Sequence, residues 1–255
     1  MSDPVLEVKN LSVRFFLEEE KTLLPALNQI SFHVDKNEVL GIIGESGSGK
    51  SITLLSILGL LQTNPGIIDG EIIVNTKEDR INTLQDIHRY IKIDNFEQNN
   101  ETVSIDVKAW KKSLRQYYRT ILGRYISMVF QNPRLAFNPY YSIGKQINES
   151  VRLRNPELSK AQSRQKSIDW LRKVKMEAAD IRYNNNPYGL SGGLCQRAMI
   201  AMALASEPDL LIADEPTTGL DATIQGDILA LLEELKHEEK ISMILVSHGA
   251  GCRSC

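Results

Sequence analysis

The run Gly44-Glu45-Ser46-Gly47-Ser48-Gly49-Lys50-Ser51 follows the spacing G-x-x-x-x-G-K-[ST], and each fixed position answers a need of phosphate binding. The glycines let backbone N–H groups close around phosphate oxygens, Lys50 offsets charge at the β and γ phosphates, and the Ser51 hydroxyl completes the coordination of Mg2+. A second chemical pair, Asp214-Glu215, ends the apolar run Leu210-Leu211-Ile212-Ala213. The two carboxylates suit different tasks: Asp214 a place in the Mg2+ shell, Glu215 the acceptance of a proton from an attacking water. Leu190-Ser191-Gly192-Gly193, followed by Gln196-Arg197, is the third element. A Ser-Gly-Gly turn that opens a helix aims another set of backbone N–H groups at phosphate oxygens. Two anion cradles in one chain imply a composite site.

These residues need a scaffold. Residues 38–43 read as a near-continuous apolar strand entering the glycine-rich loop, and residues 51–61 are apolar nearly all round, as suits a helix buried in an α/β layer. Asn64-Pro65-Gly66 is expected to end that helix, and residues 5–8 and 30–34 read as short strands ahead of it. Residues 75–100 turn polar, which predicts a mobile surface insertion. Trp110, Leu114, Tyr117 and Ile121 then recur at helical spacing opposite Lys108, Lys111, Lys112, Arg115 and Arg119, the pattern of one amphipathic helix with a solvated basic face. Residues 126–130 read as a second buried strand, broken by Gln131-Asn132-Pro133 into a loop that carries Phe137-Asn138-Pro139. Ser159 with Gln162 makes a capping box for a helix bearing Ile168, Leu171 and Val174, and Asn184-Asn185-Asn186-Pro187 closes that region. Helix over 194–206, strand over 210–213, a helix through Ile224, Ile228, Leu231, Leu232 and Leu235, and strand over 241–246 complete the pattern. Buried strands alternating with helices predict a mainly parallel sheet with the phosphate loop at a strand's carboxyl end.

Bulk properties exclude several classes. With 255 residues and 42% hydrophobic content, the chain can bury a large α/β core, with or without a smaller subdomain. Lys+Arg total 30 against 32 Asp+Glu, so no excess of positive charge points to nucleic acid as a partner. No stretch reaches the roughly 18 apolar residues of a membrane span, and the polar N-terminus lacks a signal peptide's order, so a cytoplasmic location is expected. Two of the three cysteines, Cys252 and Cys255, lie in the last residues. That C-x-x-C lacks the four ligands of a structural metal site and reads as incidental, in a reducing compartment.

Together these motifs resemble the nucleotide-binding subunit of an ABC transporter, over about residues 5–248. The resemblance implies an α/β fold: a P-loop, RecA-like ATPase core with an N-terminal antiparallel β part and an inserted α-helical subdomain. Residues 1–138 would hold the β part and the first portion of the core, with the polar insertion at about 75–120. Residues 139–190 would form the helical subdomain, and 191–255 the signature helix and second portion of the core. Matched position by position, Gly44 to Ser51 becomes the Walker A loop, Gln131 the Q-loop glutamine at Mg2+ or water, and Leu190 to Gly193 the signature. Asp214-Glu215 becomes the Walker B end, Leu220-Asp221 the D-loop and His248 the switch histidine that senses the γ phosphate. Phe15 matches the aromatic that stacks on adenine, with Phe16 as its competitor, although a strand-end Phe serves equally as core. Outside the resemblance, Gln131 reads as a turn residue and His248 as a solvated strand-end histidine.

ATP and Mg2+ are the implied cofactors. The implied assembly is a homo- or heterodimer of cassettes clamped head to tail, each Walker site closing ATP against the Ser191-Gly192-Gly193 turn and the Asp221 loop of the pair. Transmembrane permease subunits would hold it at the cytoplasmic side of the membrane, with an extracellular substrate-binding protein acting indirectly. The segments Ile126 to Pro133, Phe137-Asn138-Pro139 and Ile212 to Asp221 look most similar to oligopeptide, dipeptide and nickel importers, which implies ATP-driven import. Two other readings stand beside it: a soluble ABC ATPase acting on ribosomes or DNA, and a non-hydrolysing partner in an asymmetric heterodimer. Cys195 stands where the family usually has a larger polar or basic residue, and altered packing or partner contact is expected there. Gly249 replaces the aspartate that commonly follows the switch histidine, and the family continues past this point, so a truncated or altered C-terminus is expected.

Overall fold

The computed structural model describes residues 4–17, 22–61, 65–94 and 102–247. His248, the Cys252/Cys255 pair and residues 95–101 of the polar stretch lie outside them. In chain order the elements are β1 (Leu6–Leu17), β2 (Thr22–Val34), β3 (Val39–Ile43), α1 (Lys50–Ile57), β4 (Pro65–Asn75), β5 (Arg80–Asn82), α2 (Ile87–Tyr90), β6 (Ile91–Asp94), β7 (Thr102–Ile105) and α3 (Val107–Ile121). They continue with β8 (Ile126–Val129), α4 (Pro133–Ala136), α5 (Ile143–Arg154), α6 (Lys160–Lys173), α7 (Ala179–Arg182), α8 (Gly192–Leu204), β9 (Leu210–Asp214), α9 (Ala222–Glu239) and β10 (Ser242–Ser247). Two compact units result, one drawn from residues 1–36 and 44–122, the other from 37–43 and 123–255.

The first unit carries an antiparallel sheet in the order β2-β1-β4-β5. Leu6, Val8, Leu11 and Val13 of β1 are buried, yet their alternation is broken by register shifts between Val8 and Leu11 and between Leu11 and Val13. Those bulges hide the strand's true length, so the expected fragments 5–8 and 30–34 are parts of strands that run on to Leu17 and from Thr22. Gly70 faces the irregularity with φ +114, and a Cβ there would meet the Leu11 Cα at 2.7 Å. The helix after the phosphate loop stops at Ile57, earlier than expected, because Gly59 turns left-handed at φ +63 over the Tyr118 ring, 2.1 Å from where a Cβ would sit. Pro65 and Gly66 therefore begin β4 and do not end the helix.

The same approach decides which face of α3 is inward. Trp110 and Ile121 of the expected stripe are buried, Leu114 and Tyr117 are half-buried, and Tyr118, outside that stripe, is buried in addition. The Tyr118 hydroxyl donates to the Ser56 carbonyl at 3.1 Å and lies 3.3 Å from Thr83 Oγ1. Lys108, Lys111, Lys112, Arg115 and Arg119 face solvent. Within the polar stretch, β5, α2 and β6 form because Leu84, Ile87 and Ile91, sparse as they are, are all buried.

The second unit holds an all-parallel sheet in the order β3-β10-β9-β8. Leu210, Leu211, Ile212 and Ala213 are buried on both faces of β9, which explains their unbroken apolar run. The carboxyl ends align: Ile43 pairs with Ser247, Val246 with Asp214, and Val129 with Ala213. Helices α5, α6, α8 and α9 start on side-chain caps, Ser142, Ser159, Ser191 and Asp221, and Ser159 with Gln162 forms the reciprocal capping box. Ile147, Leu171, Met199 and Leu231 join one apolar core.

Candidate functional site

In the first unit the phosphate loop closes on itself. Ser48 N–H donates to the Glu45 carbonyl at 3.2 Å. Gly47 and Gly49 take left-handed φ of 81° and 91°, Gly49 as the N-cap of α1. At Gly44 a Cβ would meet Ser48 Oγ at 2.6 Å. Lys50 is buried at 8% exposure, its Nζ donating to the carbonyls of Gly44 at 2.6 Å and Glu45 at 2.8 Å. The loop thus holds the ammonium at its own backbone, where an incoming phosphate offers stronger charge-assisted bonds. No acidic side chain occupies the first turn of α1, so the positive end of the helix dipole is not offset there. Glu45, Ser46, Gly47, Ser48 and Ser51 are exposed. Phe15 sits half-buried within β1, across from Leu24 and Pro65.

In the second unit Asp214 is the last residue of β9, and Glu215 leaves the strand with φ 46°. That left-handed residue breaks the strand's alternation and re-aims the side chain, a strained backbone of the kind that collects at functional sites. Glu215 is 8% exposed, and its N–H donates to the Val246 carbonyl at 3.1 Å. Its Oε2 accepts from Gln131 Nε2 at 2.8 Å and from Thr218 Oγ1 at 3.0 Å. The structure therefore brings Gln131 to the Glu215 carboxylate. Thr218 was not legible as a site residue, since nothing separates it from Thr217 until the turn after Pro216 is built. Beyond Gln131, Arg134 of α4 donates to the Leu190 carbonyl at 2.8 Å, next to the Ser-Gly-Gly turn.

That turn opens α8. Ser191 Oγ accepts from Leu194 N–H at 3.4 Å, and Asp221 Oδ1 does the same for Ile224 N–H at 3.0 Å, so both side chains cap helices. A Cβ on Gly193 would meet Ile224 Cγ2 at 2.9 Å, and one on Gly192 would meet Leu220 Cδ2 at 3.2 Å. The signature turn and the Leu220-Asp221 segment are thus packed together, while Ser191 and Gly192 stay exposed at the positive end of α8. Cys195 is wholly buried in the core, and burial pushes its thiol up to about 11 against a smaller pull from Arg134. It is therefore a packing residue here and presents no surface.

A phosphate loop at a helix start, an acidic pair at the carboxyl edge of a parallel sheet and a second glycine turn opening another helix define a P-loop nucleotide-binding protein. The chain belongs to the ABC transporter family, whose model, described as ABC transporter, matches residues 27–218. It is similar to the oligopeptide transport ATP-binding protein AppD of Bacillus subtilis, 38% identical over 248 residues that cover 97% of this chain and 65% of that one. Likeness to the dipeptide transport ATP-binding protein DppD of Haemophilus influenzae is 39% over 244 residues, covering 96% of this chain and 64% of the relative. The chain spans just under two thirds of the length of these curated relatives. Among solved structures it is similar to the dimeric bacterial ABC transporter cassette MJ0796, with TM-score 0.66, 25% identity, and coverage of 95% of this chain and 87% of that one. Among the described residues no helix is long and apolar enough to cross a membrane.

Proposed function

We propose that the chain is the ATP-hydrolysing subunit of a peptide importer. The observation that carries hydrolysis beyond nucleotide binding is the buried Glu215 carboxylate, turned off β9 by a left-handed backbone and gripped by Gln131. The residues fit the nucleotide: Gly44 and Gly49 where a Cβ has no room, and a buried Lys50 whose ammonium lies at the loop carbonyls. The Ser51 hydroxyl and Asp214 carboxylate offer the hard oxygen donors that Mg2+ prefers. When bound, Mg2+ neutralises charge on the β and γ phosphate oxygens. Lys50 and the loop N–H groups hold the phosphates, Phe15 supports the adenine face, and Glu215 accepts the proton of the attacking water. His248 serves as the γ-phosphate contact.

The Ser191-Gly192-Gly193 turn, exposed at Ser191 and Gly192 on the positive end of α8, would complete the ATP site of a second cassette, with Asp221 at the same junction. Residues 139–190 act as the helical subdomain, and the exposed Leu135, Tyr140, Tyr141, Ile181 and Tyr188 suit a docking permease helix. Peptides are the cargo proposed because the relatives above are named for oligopeptide and dipeptide transport. The chain would then work at the cytoplasmic face of a membrane, held there by its permease. Co-expression with a peptide permease and measurement of ATP turnover test this reading. Turnover and co-purification are expected; a chain that binds no ATP contradicts it.

A further inference from the structure

We propose that Thr218 is a positioning residue that fixes the plane of the Glu215 carboxylate for proton transfer, an inference that rests on the reading of Glu215 as the hydrolytic base. Thr218 grips Glu215 twice. Its N–H closes the turn on the Glu215 carbonyl at 3.1 Å, and its hydroxyl donates to Glu215 Oε2 at 3.0 Å. Gln131 Nε2 donates to the same oxygen at 2.8 Å. The terminal torsion of a glutamate is broad and soft, so an untethered carboxylate samples many planes. Two donors converging on one oxygen select one of them, and a base acts only when it lies within hydrogen-bond reach in the right orientation.

The two donors are held differently. Gln131 follows β8, and its segment is tied through Arg134 to the Leu190 carbonyl, so it belongs to the stretch that leads to the signature turn. Thr218 belongs to the same four-residue turn as Glu215, with Pro216 restricting the chain between them. Were Gln131 to leave the carboxylate for a ligand, Thr218, held in the same turn as Glu215, would keep its orientation. The role needs a hydroxyl, and serine would supply it; valine keeps the shape and removes the donor. Thr218 is itself exposed, so the exchange leaves the core intact.

The test uses the whole chain as Thr218→Val and Thr218→Ser, with ATP affinity measured apart from turnover. Thr218→Val should lower kcat roughly tenfold or more, the scale of one hydrogen bond to an ionised group, with ATP affinity and melting temperature unchanged. Thr218→Ser should retain most of kcat, and Thr218→Val added to Glu215→Gln should change turnover no further. Wild-type kcat in Thr218→Val, or equal loss in Thr218→Ser, overturns the positioning role. Wild-type protein that binds ATP without hydrolysing it, or hydrolysis indifferent to Glu215→Gln, overturns instead the reading on which it rests.

Discussion

Gly193→Ala separates the packing of the signature turn from its chemistry. The new Cβ would lie 2.9 Å from Ile224 Cγ2, with Cδ1 and Cγ1 at 3.9 and 4.0 Å. Relaxed carbon contacts lie at about 3.5–4.0 Å, so the overlap is about half an ångström or more. Cγ2 sits on the β carbon of a β-branched residue in a helix, where χ1 has one preferred well, and it does not swing aside cheaply. Relief comes from moving α8 against α9, at an overpacking cost of about 1–3 kcal/mol. The helix gains up to about 1 kcal/mol from alanine over glycine inside α8, which leaves a net loss of about 0–2 kcal/mol and makes the coupling to Ile224 the decisive quantity. Denaturant unfolding of Gly193→Ala, Ile224→Ala and the double variant checks it. The double variant should be about 1 kcal/mol more stable than the sum of the singles predicts. Strict additivity of the two exchanges refutes the packing argument.

Three further outcomes follow from other contacts. Lys50→Met should weaken nucleotide binding about 10- to 100-fold, the scale of losing a charged donor, with circular dichroism unchanged; fluorescent-nucleotide titration measures it, and unchanged affinity would contradict the loop's role. Tyr118→Phe removes the donor to the Ser56 carbonyl and the partner of Thr83, and should cost about 1–2 kcal/mol in denaturant unfolding. For Cys195, burial raises the folded-state value from 9.0 to about 11. The unfolded thiol ionises first, so its contribution is complete below pH about 9 and is lost as pH rises toward 11. Cys195→Ala should flatten that alkaline limb of the stability profile, and an unchanged limb would assign it to other groups.

The backbone of the glycine-rich loop was legible because its spacing dictates its shape: Gly47 and Gly49 take a positive φ, and Gly44 meets a contact that leaves no room for a Cβ. The cap Ser159 was equally open to reading as a helix start, since a capping side chain acts within three residues, whereas the capping roles of Ser191 and Asp221 emerge only from the structure. What escaped depends on contacts distant in sequence. Tyr117 and Tyr118 both fit a helical stripe, and only Gly59, far upstream, selects Tyr118. The full length of β1 is masked by bulges that reverse its alternation. Thr218 needs the Pro216 turn and the left-handed Glu215 before its hydroxyl finds a carboxylate.

Glu215→Gln isolates the base itself, because the amide keeps the shape of the side chain and loses its basicity. With ATP and Mg2+, the variant is expected to bind nucleotide, to accumulate as a dimer on size exclusion, and to hydrolyse ATP about 100- to 10,000-fold more slowly, the range of one general base. Wild-type turnover in Glu215→Gln, with nucleotide bound, would contradict the account.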